Sequence, residues 1–475
     1  MMKKTNKTCV FLLCAFLTFS LFGCDKTPSE EGTKPPSTPR GEEPMTGNWY
    51  DDENFEPVIR FTVTADTHVG SGTTDYYYWT QELFAQQFQH GYSYASTQEY
   101  DKLDAFIDVG DWVDHGYPGE YENFVRVYKE NIREGTQFIP VLAGHEQIYG
   151  TVEDYTTNLR MDTGVHSVIN GYHLIGVSNY QGSNTSPIKG FEWLEEQVRE
   201  AYNDDPYKPI FVFQHHPIND TIPSHNDNGY SEQYHAIYKN YPNVILFTAH
   251  THIPGSEPAN ILQHDYTSIG VAAMAYNEQH DDYVFAPWEN LKAVDGKTIA
   301  MSYATDEEHK GIGEMYIVEA DEQGRTRVLL YDIYQNGMKA DIDGEGTMAY
   351  YFEDVTDKST WLYTSARWEE DSAPQFGAHA AVEIVKNANG SLSVSFPQAK
   401  GKYGVFCYDM FLTNEQTNET VSHRIYSLQW NSIMPTARGH EFTGLTVGAQ
   451  YTLSIEPVSS FAKYGKPLTV TFTAS

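Results

Sequence analysis

The chain predicts an α/β layered domain followed by a smaller all-β module. Three observations carry this expectation. From residue 58 to about 335, short continuous apolar runs alternate with polar loops and amphipathic stretches. From about 378 only strand-like segments and turns remain. The chain has 475 residues, 40% apolar and 14% aromatic, ample for more than one core and too rich in aromatic residues for a disordered chain.

The first residues read as an address. Lys3, Lys4 and Lys7 give a basic start, and residues 9–22 are almost wholly apolar. That run is short for a bilayer span and has the proportions of a secretory h-region. It ends Leu21-Phe22-Gly23-Cys24, which resembles the bacterial lipobox, whose Cys becomes the lipidated first residue of the mature protein. An ordinary signal peptide or a buried apolar helix would explain the run but not the placed Cys. The expectation is a lipoprotein signal peptide over 1–23 and acyl chains on Cys24. The protein would then be held to a lipid membrane of the bacterial cell envelope, outside the cytoplasm. Residues 24–48 read as a Pro-rich tether, with five prolines between 25 and 47. Cys9 and Cys14 leave with the signal and Cys24 carries lipid, so Cys407 stands alone and no internal disulfide is expected. No later apolar run is long enough for a transmembrane helix.

The layered domain is expected over 49–339. Its strands read at 58–65, 106–109, 138–142, 172–177, 210–213 and 244–247, as short apolar runs suited to buried strands. Phe191, Leu194 and Val198 recur at helical spacing, and 231–239 is a second helix. Segments 265–275 and 313–332 add strands. The insertion at 70–100, with Tyr76 to Tyr78 and Trp79, and the loop at 218–229 have two readings of equal standing, the lining of a site entrance and ordinary packing. Residues 340–377 read as a connector. In 378–475, residues 391–396 alternate, and Gly444-Leu445 followed by Tyr451 resembles a stretch of fibronectin type III domains, where such a Tyr bonds back across a corner.

Charge narrows function. Lys+Arg number 31 against 65 Asp+Glu, a formal charge of −34. That field repels phosphate backbones, so nucleic acid is excluded as a broad-surface partner. A small anion can still bind where a metal inverts the local charge.

Five polar motifs stand at strand ends: Asp66-Thr67-His68, Gly110-Asp111-Trp112-Val113-Asp114, Ala143-Gly144-His145-Glu146, His215-His216-Pro217 and His250-Thr251-His252. Ligand sites in α/β sheets form outside the carboxyl ends of strands. Carboxylate and imidazole together suit Zn, Fe or Mn, and two such ions can activate water and clamp a phosphoryl group.

The ordered set resembles the calcineurin-like metallophosphoesterase superfamily, with its D-x-H, G-D-x-x-D, G-N-H-[DE], H and G-H-x-H blocks, over roughly 58–335. The resemblance implies a four-layer sandwich of two mixed β-sheets flanked by helices, beside the C-terminal all-β sandwich. It also implies a dinuclear centre. Asp66, His68 and His252 would hold one ion, Asp111 would bridge, and His215 and His250 would hold the other. His145 would protonate the leaving oxygen and Asp114 would orient it. His115 stands where one branch has Arg, which makes His115 and His216 candidate phosphate contacts. Gly144 stands where the family has a metal-ligating Asn, so the second site is one ligand short unless water, substrate or a residue such as Asn179 completes it. Glu146 reads as a loop stabiliser. The expectation is metal-dependent hydrolysis of a small phosphorylated substrate, a phosphomonoester or small phosphodiester. The alternative is a catalytically weak or inactive metal-binding lipoprotein that works as a binding module.

Overall fold

Apolar runs bounded by polar loops set the layers. The computed structural model describes residues 48–474 apart from 72–74, 180–185, 226–228, 280, 282, 295–298, 302–312, 334, 342–345 and 430–433, and leaves aside the side chains of 75–78 and 299–301. Cys24, the apolar leader and most of the Pro-rich segment lie outside the described residues, as do the side chains of Tyr76, Tyr77 and Tyr78.

The chain begins β1 (Pro57–Thr64), α1 (Asp75–Ala95), β2 (Ala105–Asp108), α2 (Pro118–Asn131), β3 (Gln137–Pro140), α3 (Val152–Leu159), β4 (Gly164–Ile169) and β5 (Tyr172–Val177). It continues with α4 (Phe191–Asp204), β6 (Ile210–Gln214), α5 (Ser231–Tyr238), β7 (Val244–Thr248), β8 (Ile261–Gln263) and β9 (Thr267–Gly270). A small hairpin follows, β10 (Asn277–Gln279) with β11 (Ile299–Met301), then β12 (Glu314–Asp321), β13 (Thr326–Asp332), β14 (Gly337–Met338), β15 (Ala349–Phe352) and α6 (Ala366–Glu370).

Two mixed sheets pack face to face. The first runs β14-β13-β12-β1-β2-β3 with β15 beside β13, and the second runs β4-β5-β6-β7-β9-β8. β1, β2 and β3 are parallel while β12 is antiparallel to β1. Alternation along β1 sends Ile59, Phe61 and Val63 to the shared core, where Phe61 meets Phe211 edge to face with ring centres 4.9 Å apart. Phe106 and Phe138 face the other way and pack with Phe84 and Phe88 of α1 and Phe124 of α2. On the outer face of the second sheet, Val212 and Leu246 meet Leu194 and Val198 of α4 and Tyr234 and Tyr238 of α5. The result is helix, sheet, sheet, helix. Each buried Phe, Leu or Val adds roughly 1.5–3 kcal/mol of transfer free energy, so the layers specify their own stacking.

Three stretches add to the sequence reading. Residues 75–95 form a long helix, and Trp79 packs beside Leu83 and Met274, the packing alternative for this insertion. β4 pairs antiparallel with β5. Within 340–377, β15 joins the first sheet and puts Tyr350 and Phe352 into its core. No helix among the described residues is long and apolar enough to cross a membrane.

The C-terminal part is an all-antiparallel sandwich. It comprises β16 (Glu383–Lys386), β17 (Leu392–Pro397), β18 (Cys407–Asn414), β19 (Thr420–Tyr426), β20 (Ala437–Phe442), β21 (Gln450–Val458) and β22 (Leu468–Thr473). The sheets run β16-β17-β20 and β19-β18-β21-β22. Inward residues Leu392, Val394, Phe396, Met410, Leu453 and Ile455 share one core. The Tyr451 hydroxyl accepts a hydrogen bond from the Thr446 backbone N–H at 3.0 Å. Cys407 is buried and unbridged, and burial pushes its thiol up. The sandwich meets the layered domain through Trp288, whose ring lies 4.7 Å from Phe406 and whose Nε1–H donates to Ser460 O at 2.9 Å.

Candidate metal centre

The motif residues sit one to five positions past the ends of parallel strands. β1, β2 and β3 deliver Asp66, His68, Asp111 and His145 from the first sheet, and β6 and β7 deliver His215, His250 and His252 from the second. The loops are sharply bent. Asp66, His68, Asp111, His250 and His252 have φ of 51°, 50°, 53°, 72° and 53°. Left-handed backbone at a non-glycine residue costs roughly 1–3 kcal/mol and persists only where the surroundings enforce it. Here the loops are stitched to one another. Asp66 N–H donates to Gly110 O (3.0 Å), His68 N–H to Asp111 O (3.1 Å), and Ala249 N–H to His215 O (2.7 Å). His145 N–H donates to Asp111 Oδ1 at 2.8 Å. Gly110, at φ 104°, lets the second loop come close: a Cβ there would lie 2.4 Å from Ala143 Cβ and 2.9 Å from His215 Nδ1.

Glu146 is the hub of this stitching. Its buried carboxyl accepts backbone N–H bonds from Ala143 (2.8 Å), Val113 (3.1 Å) and Asp111 (3.2 Å). Burial, then the charge of Asp111, pushes it up to about 8. It shapes the loops and presents no free oxygen toward the imidazoles.

Two groups each bring one ligand atom per residue within 4.8 Å of the others: Asp66, His68 and His252, and Asp111, His215 and His250. Asp111 also groups with His68 and His145, so it stands between the two. His252 Nε2 lies 3.2 Å from Asp66 Oδ1, His215 Nε2 lies 3.0 Å from Asp111 Oδ2, and His215 Nε2 is 4.0 Å from Asp66 Oδ1. Backbone carbonyls fix the far side of two rings, since His215 Nδ1 bonds Val109 O (2.9 Å) and His252 Nδ1 bonds Tyr276 O (3.1 Å). A carbonyl only accepts, so the proton is on Nδ1 and Nε2 is turned inward, as outer partners do for metal-ligating His.

These inward atoms carry the fit to a metal. Asp66 Oδ1, both nitrogens of His68, His215 Nε2 and His250 Nε2 are buried without a hydrogen bond. Each such atom costs about 1–3 kcal/mol if nothing else binds it. Oxygen and imidazole donors with no thiolate suit Zn, Fe or Mn. Without a cation the carboxylates lean on imidazolium. Burial lowers the affinity of His215 for a proton, but Asp111 outweighs it and brings the ring up to about 10. Burial raises Asp111, yet His215 and His145 hold it well below the carboxylate range. His68 and His250 are driven down, first by burial and then by neighbouring imidazoles.

The remaining expected residues fall around this cluster. His145 Nδ1 bonds the Asp114 backbone carbonyl at 2.5 Å, whereas the Asp114 carboxylate lies 2.9 Å from His115 Nδ1. Asp114 thus holds His145 through its main chain. His115 is half-exposed, beside Asp114 and Glu120. His216 is buried against His250, with ring centres 4.4 Å apart, and burial and then His215 push it down to about 3, so it stays neutral. Gly144 is buried with φ −74° in the right-handed region. Asn179 gives its amide nitrogen to the Tyr234 hydroxyl. Two rings escaped the sequence reading. Tyr276 lies 4.2 Å from His252 and stacks 5.5 Å from His68, and His225 lies 5.1 Å from His250. Nothing local in sequence marks Tyr276; the signal is its place in the loop after β9, at the same edge as the motifs.

Comparison with known proteins gives several likenesses. Among solved structures, the chain is similar to GAP50, the anchor in the inner membrane complex of Plasmodium, with 13% identity over 65% of this chain and 92% of that one, at a TM-score of 0.40. It is also similar to the purple acid phosphatase PPD1 from yellow lupin (Lupinus luteus) seeds, at 9% identity, 62% and 53% coverage and a TM-score of 0.36. An FN3 domain of human collagen XX matches 22% of this chain and 98% of its own length, at 14% identity and a TM-score of 0.16. No curated protein matches the chain. Residues 59–254, which span every residue of the two groups, match the family model of the calcineurin-like phosphoesterases, and this part of the chain is a calcineurin-like phosphoesterase domain.

Proposed function

We propose that the chain is a metal-dependent hydrolase of a phosphomonoester or small phosphodiester. The observation that carries the reading is the convergence of buried, unbonded imidazole nitrogens and a carboxylate oxygen in two groups that meet at Asp111. A pair of divalent ions would supply Lewis acidity and activate water at neutral pH. Asp66, His68 and His252 would hold one ion, His215 and His250 the other, with Asp111 shared. The chain does the rest. The Asp114 carbonyl keeps the proton of His145 on Nδ1, which leaves Nε2 to exchange a proton with the leaving oxygen. Neutral His216 and half-exposed His115 flank the cluster as phosphate contacts. Loading the ions would displace protons from His215 and His252, whose rings, against the opposing effect of burial, the neighbouring carboxylates raise.

Leu21-Phe22-Gly23-Cys24 supports a lipid anchor in a bacterial cell envelope, and the Tyr451 to Thr446 bond supports a fibronectin type III-like reading of the C-terminal sandwich. One observation favours the second reading, a weak or inactive metal-binding module: Gly144 offers no side chain to the second group. Metal analysis of protein purified without chelator, run alongside a panel of phosphoesters, separates the two. About two ions per chain with turnover supports the hydrolase. One ion or none, without turnover after Mn, Fe or Zn is supplied, overturns it.

A further inference from the structure

Beside His145 the surface carries an aromatic shelf that the hydrolytic residues do not use. Tyr117 and Tyr149 stack with ring centres 4.6 Å apart and planes 10° apart, yet remain 42% and 63% exposed. The His115 ring lies 5.8 Å from Tyr117, 6.3 Å from Tyr149 and 6.4 Å from His145. Ile148, 39% exposed, adjoins them in sequence. Exposed apolar side chains gathered at one rim mark a binding surface more often than scattered ones do.

The shelf is built rigidly. Tyr149 N–H donates to His115 O at 3.0 Å. Glu120 Oε2 accepts from His115 N–H (2.8 Å) and Tyr117 N–H (3.1 Å). The two loops touch through glycines: a Cβ on Gly116 would meet Glu146 O at 2.3 Å, and one on Gly150 would meet the same oxygen at 2.4 Å. Two exposed rings fixed in a stack offer a flat apolar face without further ordering cost.

We infer that Tyr117 and Tyr149, beside His115, form a stacking platform for the leaving group of the phosphoester. The preferred substrate then carries a flat ring, set back from the ester oxygen by a short spacer. The inference rests on the hydrolase reading, which puts His145 on the leaving-oxygen side. The platform lies one ring beyond His145, so a group bonded directly to the ester oxygen falls short of Tyr149, while a base held off by a sugar reaches it. Asp114 and Glu120 stand under His115, which favours a neutral or cationic ring over one with a second anionic group.

Adenosine 5′-monophosphate and ribose 5-phosphate share the ester and the sugar and differ by the ring. With metal-loaded protein, kcat/KM for the nucleotide should exceed that for the sugar phosphate about tenfold or more, the scale of one base–aromatic stack. In Tyr117→Ala/Tyr149→Ala that ratio should fall toward one, and Tyr117→Phe/Tyr149→Phe should keep it. A wild-type ratio near one, or a ratio the alanine variant leaves unchanged, overturns the platform. If neither ester is hydrolysed, the hydrolase reading fails and the platform is judged by calorimetric binding of the same two compounds. The same preference sustains it and equal affinity overturns it.

Discussion

At the junction of the two domains, Arg424 is buried at 2% exposure and surrounded by acids. Its Nε and Nη2 donate to the two oxygens of Asp409 at 2.6 and 2.7 Å, Nη2 also reaches Lys292 O at 3.0 Å, and Nη1 meets Asp281. Tyr464 completes Asp409 with a bond of 3.0 Å. The cluster at the strand ends is buried as well, but Asp66 Oδ1, both nitrogens of His68, His215 Nε2 and His250 Nε2 have no hydrogen bond. It sits on left-handed backbone, whereas Arg424 lies within the regular ladder of β19 and β18. A buried charge that bonds all its neighbours is finished structure. A buried set that approaches to 3–4 Å without bonding is arranged around something else, and a divalent ion is what those donors fit.

Asp111→Asn should break the unfinished cluster most severely. Asn keeps the shape but removes negative charge that both groups share, so metal content and turnover should fall together. The loss should exceed the ~10–100-fold typical of an outer-shell change. Metal analysis by mass spectrometry decides; undiminished metal would sink the cage.

Arg424→Met breaks the finished cluster. It leaves Asp409 and Asp281 buried or half-buried without their partner, and such a loss costs about 3–5 kcal/mol. The urea midpoint should drop while the metal content of the folded protein stays at the wild-type level. A stability change below about 1 kcal/mol would mean the pair is not holding the junction.

The two clusters also differ in how far the sequence revealed them. The cluster was legible because each of its residues stands within five positions after a short apolar strand, and strand ends of a parallel sheet share one edge. The layers followed from the same runs. The junction was not legible: Asp281, Arg424 and Asp409 lie on segments 15 to 143 residues apart, and nothing local distinguishes a paired buried charge from a solvated one. The orientation of Asp114 was hidden for a related reason. A motif names a residue but not whether its carboxylate or its carbonyl does the holding. The long α1 was masked by its β-favouring tyrosines, which tertiary packing of Phe84 and Phe88 overrides.

Glu257 sharpens the comparison with pH. It is buried at the junction, accepts from Gln429 (3.1 Å) and Gln279 (3.4 Å), and is pushed up to about 7 by burial first, with Asp371 adding to the rise and Ser460, Ala259 and Gln429 opposing it. A carboxyl raised in the folded state favours folding while protonated. Its contribution is whole below about 4.5, shrinks as pH rises toward 7, and is gone above. The loss is on the order of 3 kcal/mol. Glu257→Gln fixes the neutral form, so its urea midpoint should fall less between pH 5 and 8 than that of the wild type. Parallel pH profiles for the two proteins would remove Glu257 from the account.

The smallest effect is expected at Gly144, where the cage itself is uneven. The first group has three side chains of its own, whereas the second shares Asp111 and lacks the side chain that the resemblance places at this position. The backbone permits a repair, since Gly144 sits at φ −74° and ψ −55°, a conformation Asn adopts freely. An Asn carbonyl oxygen is a suitable neutral ligand for a hard or borderline divalent ion. Gly144→Asn should tighten the second ion about tenfold, roughly 1.4 kcal/mol, and raise turnover most under dilute metal, where that ion is lost first. The position is buried, so thermal unfolding should first establish that the variant folds as the wild type does. Titration with Mn or Zn then reads the second binding step. If the folded variant takes up its second ion with wild-type affinity, another group already closes the site, and the unevenness between the two halves is one of sequence and not of chemistry.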